Sequence, residues 1–217
     1  IAKEVGTLTV FQRTANYCAP LRNGPIDDKT QQQIKANYPE IFKQCSETAG
    51  SFIHKFDPRS AMEVSSEERM EQYEKLWAEP GFKKWLSNFY DVMIPGEANE
   101  DYAKFVRNKI RERVNDPVIA EMLTSKNHMF GSKRLPCESG YYEVYNQDNV
   151  LLVDVRKAPI QCITPKGVKT RDAEYELDVI IFATGYDAVT GSLTRMDIRG
   201  EGGQTLNSKF VSGPRTY

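Results

Sequence analysis

The chain has 217 residues, of which 40% are hydrophobic and 27% charged, with a formal net charge of −1; this is the composition of a globular protein with one or two cores. The near-neutral balance favours neither nucleic acid nor an anionic membrane surface as a partner. No apolar run reaches the length of a membrane span, and the first residues lack the apolar core of a signal peptide, so we expect a cytoplasmic protein.

The first predicted element is a strand over Thr7–Phe11, and Gln12, Arg13 and Thr14 follow it directly. A passage rich in proline, asparagine and glycine then continues to about Ile26 and is predicted to be irregular. The chain therefore begins with one strand and a long loop.

The position of Arg13 matches a selectivity determinant of dinucleotide-binding folds. At the end of the second strand of such a fold, an acid binds the ribose of NAD, whereas a cation accommodates the 2′-phosphate of NADP. Arg13 can present two parallel N–H donors to a phosphate, and Thr14 adds a hydroxyl. The glycine-rich turn of the fold lies about twenty residues before this position. Because no GxGxxG occurs in the chain, we interpret the sequence as a segment of a larger protein, with that turn before Ile1.

From Asp27 to about Leu123 the apolar residues follow helical spacing. An aspartate, Asp27 or Asp28, can cap the first helix, which continues through Ile34. Pro39 must interrupt or restart this helix, since proline lacks the N–H that a helix interior needs.

Three further helices are predicted in this zone. Ser65 and Glu68 form a capping-box pattern, and Pro80-Gly81 ends the helix that they start; its apolar positions are Met70, Tyr73, Leu76 and Trp77. The next helix gathers six apolar residues on one face: Phe82, Trp85, Leu86, Phe89, Tyr90 and Met93. Asn99 can cap the last helix, whose inward residues are Tyr102, Phe105, Val106, Ile110 and Val114.

The outer face of that last helix carries three basic residues among five polar ones: Lys104, Arg107, Asn108, Arg111 and Glu112. Acidic residues are interleaved nearby and no exposed aromatic residue lies among the bases, so a solvated face is favoured over a nucleic-acid site.

The third zone, from about Asn127, returns to strands. Val150–Val155 and Leu177–Phe182 are apolar runs typical of buried parallel strands, and Pro159–Ile163 with Val168–Thr170 are predicted to form a hairpin. The Leu177–Phe182 run stops at Ala183, Thr184 and Gly185, where small side chains let a ligand approach the backbone. Before these strands, the loop Gly131–Pro136 carries Lys133 and Arg134, two adjacent cations that by themselves are typical of a solvated surface.

Together these segments resemble the middle of the Type I Baeyer–Villiger monooxygenases, in the branch of phenylacetone and cyclohexanone monooxygenases. The resemblance covers almost the whole chain in collinear order. Its blocks are VFQRTANYCAPLRNGPI, FVRNKIRERVNDPVIAEML, GSKRLPCESGYYEVYNQDNVLLVDVRKAPI, TPKGV and ELDVIIFATGYDAVTGSLTRMDIRG.

The resemblance implies an FAD- and NADPH-dependent enzyme. NADPH reduces the flavin, O2 adds to give a C4a-peroxyflavin, and this species attacks a ketone to yield an ester or lactone. Arg134 matches the arginine that stabilises the peroxyflavin and the adduct, and a fixed cation lowers such a barrier electrostatically. Lys133 matches the lysine that, with Arg13 and Thr14, binds the 2′-phosphate of NADPH, and Gln12 adjoins this group. We therefore expect Arg13 and Lys133 to converge at one edge of the sheet.

The same resemblance assigns the remaining motif. Ala183, Thr184 and Gly185 match the ATG motif in the link between two nucleotide domains near the flavin, and Asp187 is expected to have a local structural or hinge role. Tyr141 and Tyr142 are expected to be core aromatics. His54 and His128 do not fit the family's FxGxxxHxxxW signature and are expected to be ordinary structural or surface histidines.

The implied fold is α/β: a partial Rossmann-like NADP-binding domain over residues 1–26 and 127–185, a helical insertion over 27–126, and a linker with the start of a returning FAD-domain segment over 186–217. The glycine fingerprints and the C-terminal substrate segment of the family are missing. We therefore expect this chain to be inactive by itself, and the activity to belong to the full-length parent.

Two alternatives remain open at this point. One is another class B flavin monooxygenase that oxygenates nitrogen or sulfur; the other is a non-catalytic helical interaction module. Disulfide-reductase flavoproteins are disfavoured, because the cysteines are far apart, form no CxxC, and indicate neither a zinc site nor a redox pair; they are Cys18, Cys45, Cys137 and Cys162. We expect reduced thiols in apolar surroundings.

Overall fold

The computed structural model describes residues 1–48, 50–187 and 190–214 and shows a mixed α/β protein. The chain divides into two compact units, Ile1–Ile160 and Gln161–Tyr217. Among the described residues, no helix combines the length and the apolarity needed to cross a membrane.

The first unit alternates short strands with a long helical stretch. In chain order it contains β1 (Leu8–Gln12), β2 (Ala19–Pro20), α1 (Asp28–Ala36), α2 (Tyr38–Ser46), α3 (Ser66–Ala78), α4 (Lys83–Leu86), α5 (Glu97–Arg111), α6 (Pro117–Leu123), β3 (Cys137–Glu138) and β4 (Val150–Asp154). The second unit begins within β5 (Ile160–Thr164) and continues with β6 (Gly167–Thr170), β7 (Glu174–Glu176), α7 (Gly191–Thr194) and α8 (Leu206–Lys209).

Strands β1 and β4 pair in parallel, with Leu8 opposite Val150 and Gln12 opposite Asp154. Both predicted strands are confirmed to within one residue. Because parallel strands end at the same edge, the loops after Gln12 and after Asp154 leave the pair side by side.

A second parallel pair, β2 with β3, was not predicted, because β2 lies in the passage expected to be irregular. Pro20 has no N–H to donate, and the hydrogen bonds of this pair come from the residues on either side of it. Ala19 N donates to Pro136 O at 3.0 Å, and Leu21 N donates to Glu138 O at 2.8 Å. Proline is tolerated in such an edge position. This pair brings the loop after β1 alongside the loop that carries Lys133 and Arg134.

The predicted starts of the early helices are confirmed. Asp27 caps α1 by accepting from Thr30 N at 2.6 Å, and Pro39 lies in the first turn of α2, so the proline restarts the helix. Ser65 caps α3 through Glu68 N at 3.2 Å, and α3 ends before Pro80. Local capping signals were sufficient for these boundaries.

The prediction that Asn99 caps a helix is wrong. Helix α5 begins two residues earlier, and Asn99 is buried within it. Its amide donates to Val92 O at 2.6 Å and to Phe130 O at 2.9 Å, so it fastens α5 to two loops. The inward face is as predicted, since five residues there are buried: Tyr102, Phe105, Val106, Ile110 and Val114.

The continuous helix predicted over residues 82–93 is also wrong. Helix α4 ends at Leu86, and a separate 3-10 turn covers Tyr90–Met93. Between them the side chain of Asn88 accepts from Phe89 N at 2.9 Å, and such local bonding by asparagine competes with helix formation. Phe89 is fully buried, but Tyr90 is 45% exposed.

In the second unit, the predicted hairpin is confirmed as β5 and β6, and β7 extends it with an antiparallel pairing to β6. The predicted strand over Leu177–Phe182 is wrong: this segment is irregular, and Val179, Ile181 and Phe182 are each more than 70% exposed. No neighbouring strand among the described residues offers it a hydrogen-bonding partner, and a two-sided buried strand requires one.

Three smaller predictions on burial need correction. Tyr142 is a core residue as expected, but Tyr141 is 38% exposed and Met70 is 46% exposed. The four cysteines are free thiols, but Cys162 is exposed rather than packed in apolar surroundings.

Candidate functional site

A cleft of about 560 Å³ lies at the carboxyl ends of β1 and β4. Three segments line it: residues 12–15 after β1, residues 117–127 of α6 and the following loop, and residues 154–157 after β4. Gln12, Arg13 and Thr14, all predicted site residues, belong to the lining. The end of a parallel strand pair is where open α/β sheets bind ligands.

Gln12 holds the three segments of the cleft together. Its side-chain Nε2 donates to Met122 O in α6 at 2.8 Å, and its carbonyl accepts from Val155 N after β4 at 3.0 Å. The chain therefore leaves β1 at a fixed point, and the direction of Arg13 out of the strand pair is set by these bonds.

The side chain of Arg13 is exposed and forms no ion pair or hydrogen bond with any residue that the structure describes. Thr14 is half-buried beside it. Lys133 and Arg134 are likewise exposed, and their side chains make no such bond within the described ranges. Free cations of this kind are available to an anionic ligand.

The Lys133–Arg134 loop is joined to the loop after β1 through Asn16. Its Nδ2 donates to Arg134 O at 3.4 Å, and its Oδ1 lies 3.0 Å from His128 Nε2. These bonds connect the two loops that carry Arg13 and Lys133. The convergence of the two side chains themselves stays a prediction.

His128 has a structural role beside these loops, in agreement with the expectation from sequence, but its partners were not predicted. Its ring lies between Asn16 on one loop and Ser125 and Asn127 on the other, and it packs edge-to-face on Tyr17 with ring centroids 5.4 Å apart. Burial lowers the pKa of His128, and the charge of Lys133 lowers it further. No motif marked the contacts of His128 with Asn16 and Tyr17, because these two residues are more than 100 positions away in sequence.

We expect His128→Ala to loosen the Lys133–Arg134 loop, because the link to Asn16 is lost. Hydrogen exchange of the backbone amides of residues 129–134 should be faster in His128→Ala than in the unsubstituted protein. The matched variant His54→Ala removes the other histidine, whose pKa burial and Lys83 also lower, and it should leave exchange in residues 129–134 unchanged. Equal exchange in all three proteins would contradict the linking role.

The same variant has a defined effect on acid stability. An unfolded histidine titrates at about pH 6.5, and the folded pKa of His128 lies lower. Its stabilising contribution is therefore complete above about pH 6.5 and is lost as the pH falls towards the folded pKa. The drop in Tm between pH 7.5 and pH 5.5 should be smaller in His128→Ala than in the parent.

Basic residues outnumber acidic ones in the lining of the cleft: Arg13, Lys126, Arg156 and Lys157 against Glu121 and Asp154. Glu121 pairs with Arg111 and Lys126, and these hydrogen bonds lower the pKa of Glu121 to about 2. Asp154 accepts from the main-chain N of Arg156 at 2.9 Å. Arg13 thus faces the cleft with no carboxylate bound to it.

In the second unit, Thr184, Gly185 and Asp187 line a separate cleft of about 390 Å³, with Tyr186, Ser192 and Arg195. Gly185 has φ of +89°, a left-handed backbone that favours glycine. Asp187 forms an ion pair with Arg195, which agrees with a local structural role. Ala183 is exposed next to this cleft, and the Ala188 and Val189 of the predicted motif lie outside the described residues.

No family model matches the chain. The chain is 50% identical over 216 residues to 2-oxo-Delta(3)-4,5,5-trimethylcyclopentenylacetyl-CoA monooxygenase of Pseudomonas putida, which covers 100% of the chain and 40% of that enzyme. It is 42% identical over 212 residues to a Baeyer–Villiger monooxygenase of Pseudooceanicola batsensis, covering 97% of the chain and 38% of that enzyme.

Among solved structures, OTEMO in complex with FAD and NADP superposes with a TM-score of 0.96 at 50% identity, over 100% of the chain and 40% of OTEMO. The homologues of this chain are Baeyer–Villiger monooxygenases, as the sequence motifs predicted. The chain spans about 40% of the length of the relatives it matches.

Proposed function

We propose that this chain is part of an FAD- and NADPH-dependent Baeyer–Villiger monooxygenase that converts ketones to esters or lactones with O2. The observation that carries the proposal is the match to such enzymes along the entire chain, including a relative solved with both cofactors. The free cations Arg13, Lys133 and Arg134 support it, because the proposed reaction uses an anionic cofactor and develops negative charge.

The proposed domain plan assigns residues 1–26 and 127–185 to a Rossmann-like NADP-binding domain, 27–126 to a helical insertion, and 186–217 to a linker and the start of an FAD-domain segment. The parallel pairing of β1 with β4, and the helices α1 to α6 that lie between them in the chain, support the first two assignments. Residues 188, 189 and 215–217 of the last segment lie outside the described residues.

The chain's own groups suit the adenosine end of NADPH. Arg13 would bind the 2′-phosphate as a bidentate donor, Thr14 would add a hydroxyl, and Lys133 would contribute a point charge. Gln12 would fix the backbone from which Arg13 projects. No acid occupies the position after β1, where a carboxylate would instead select the free ribose of NAD.

The flavin chemistry would depend on Arg134, and the Ala183–Gly185 turn of the second unit is the match to the ATG motif. When bound, reduced FAD supplies the activation of O2. The guanidinium of Arg134 would stabilise negative charge that develops next to the flavin. Asp187 would hold its own loop through Arg195. The phosphate-binding glycine turns are absent from these residues, so the chain by itself is expected to lack activity.

The test is ketone turnover by the full-length parent. With NADPH, O2 and cyclopentanone or cyclohexanone, we expect a lactone that carries one atom of 18O when 18O2 is used. Oxidation of amines or sulfides without any lactone would support a nitrogen- or sulfur-oxygenating class B enzyme. Absence of NADP(H) binding in the full-length protein would support a non-catalytic helical module.

A further inference from the structure

The arginines of this chain differ in whether their guanidinium groups have partners. Most donate to a carboxylate, a hydroxyl or a carbonyl: Arg22, Arg59, Arg69, Arg107, Arg111, Arg113, Arg171, Arg195 and Arg199. Within the described ranges, the guanidinium groups without such a partner are those of Arg13, Arg134 and Arg156. The first two are candidate site residues, and Arg156 has no role in the proposed function.

Arg156 lines the same cleft as Arg13 and comes from the neighbouring strand. Gln12 lies opposite Asp154 in the parallel register. Arg13 follows Gln12 by one residue, and Arg156 follows Asp154 by two. The backbone at Arg156 is held in place, because its N–H donates to Asp154 Oδ1 at 2.9 Å and the next N–H, of Lys157, donates to Asp154 O at 3.1 Å.

The charges around Arg156 favour an anion. Lys157 also lines the cleft, is exposed and has no ion pair with a described residue. The lining holds four basic residues, Arg13, Lys126, Arg156 and Lys157, against two acids. Of these acids, Glu121 is bound to Arg111 and Lys126, and the Oδ1 of Asp154 accepts from Arg156 N at 2.9 Å. Unpaired cations from two adjacent strand ends repel one another, and a bound dianion relieves this repulsion.

We propose that Arg156 is a second arginine for the 2′-phosphate of NADPH, so that β1 and β4 each supply a guanidinium to one anion, with Lys157 adding positive charge. This inference rests on the proposed function, because it takes the cleft as the adenosine end of the dinucleotide site. It makes Arg156 a residue that determines selectivity for NADPH over NADH.

The test uses the full-length holoenzyme and measures Kd for NADP+ and NAD+, and for the fragments 2′,5′-ADP and 5′-ADP, by calorimetry. Arg156→Ala should weaken NADP+ and 2′,5′-ADP by about tenfold, which is the scale of one charge-assisted hydrogen bond. Binding of NAD+ and 5′-ADP should change less than about twofold. Arg156→Lys should retain part of the affinity, since it keeps the charge and loses the fork.

The control is Lys104→Ala, which removes one exposed positive charge from α5 outside the lining of the cleft. It should leave all four affinities unchanged, which separates a direct contact from a change in net charge. Equal weakening of NADP+ and NAD+ by Arg156→Ala would place the side chain on the adenine and overturn the proposal, as would no weakening at all. If the parent holoenzyme binds no NADP+, the proposed function itself fails.

Discussion

Replacing Arg134 with alanine in the full-length enzyme should abolish ester formation and leave flavin reduction by NADPH measurable. Arg134 would stabilise negative charge at the flavin only after reduction, so its loss affects oxygen transfer and not hydride transfer. Removing one preorganised electrostatic donor typically costs about 10²- to 10³-fold in rate. Stopped-flow absorbance of the flavin and chromatography of the product measure the two steps separately.

The structure indicates that Arg134→Ala removes the charge without disturbing the fold. The side chain of Arg134 is exposed and has no partner among the described residues, while Leu135 beside it is 2% exposed and anchors the loop. Loss of the guanidinium should therefore leave the fold intact, which an unchanged Tm would verify. Arg134→Lys is the matched control for charge without the planar fork. Ketone turnover at the parental rate would remove Arg134 from the proposed role.

Replacing Arg13 with alanine should weaken NADPH far more than NADH. The lost contact to a charged phosphate corresponds to about 1.5–3 kcal/mol, or about ten- to a hundredfold in Kd. The effect should shrink at high salt, since the contact is exposed and screened. Steady-state KM and equilibrium Kd for both nucleotides would measure it.

Arg22→Ala serves as a control for Arg13→Ala, because the guanidinium of Arg22 already donates to Trp77 O at 3.2 Å and lies outside the cleft lining. It should leave the ratio of NADPH to NADH affinity unchanged. Equal losses for both nucleotides in Arg13→Ala would refute the phosphate assignment, whatever the size of the loss.

Local signals in the sequence determined much of the architecture. The alternation and apolar runs predicted β1, β4 and the hairpin of β5 and β6, because strand formation there depends on patterns within five or six residues. Asp27 and Ser65 marked helix starts for the same reason, since a cap bonds its own first turn. The inward face of α5 followed from its 3.6-residue period. The family motif that contains Lys133 and Arg134 could also be identified from the sequence alone.

At other positions the tertiary contacts, and not the local sequence pattern, determined the structure. Asn99 has the side chain of a cap, but inside α5 its amide donates to Val92 O and Phe130 O, carbonyls outside the helix. The energy of satisfying buried polar groups outweighs the local preference here. Leu177–Phe182 has a strand's composition and lacks a described partner strand. His128 bonds Asn16, which is more than 100 residues away in sequence. The strand before Arg156 likewise pairs with the distant strand before Arg13. Contacts between segments so far apart leave no periodic trace in either segment, and only the folded chain brings them together.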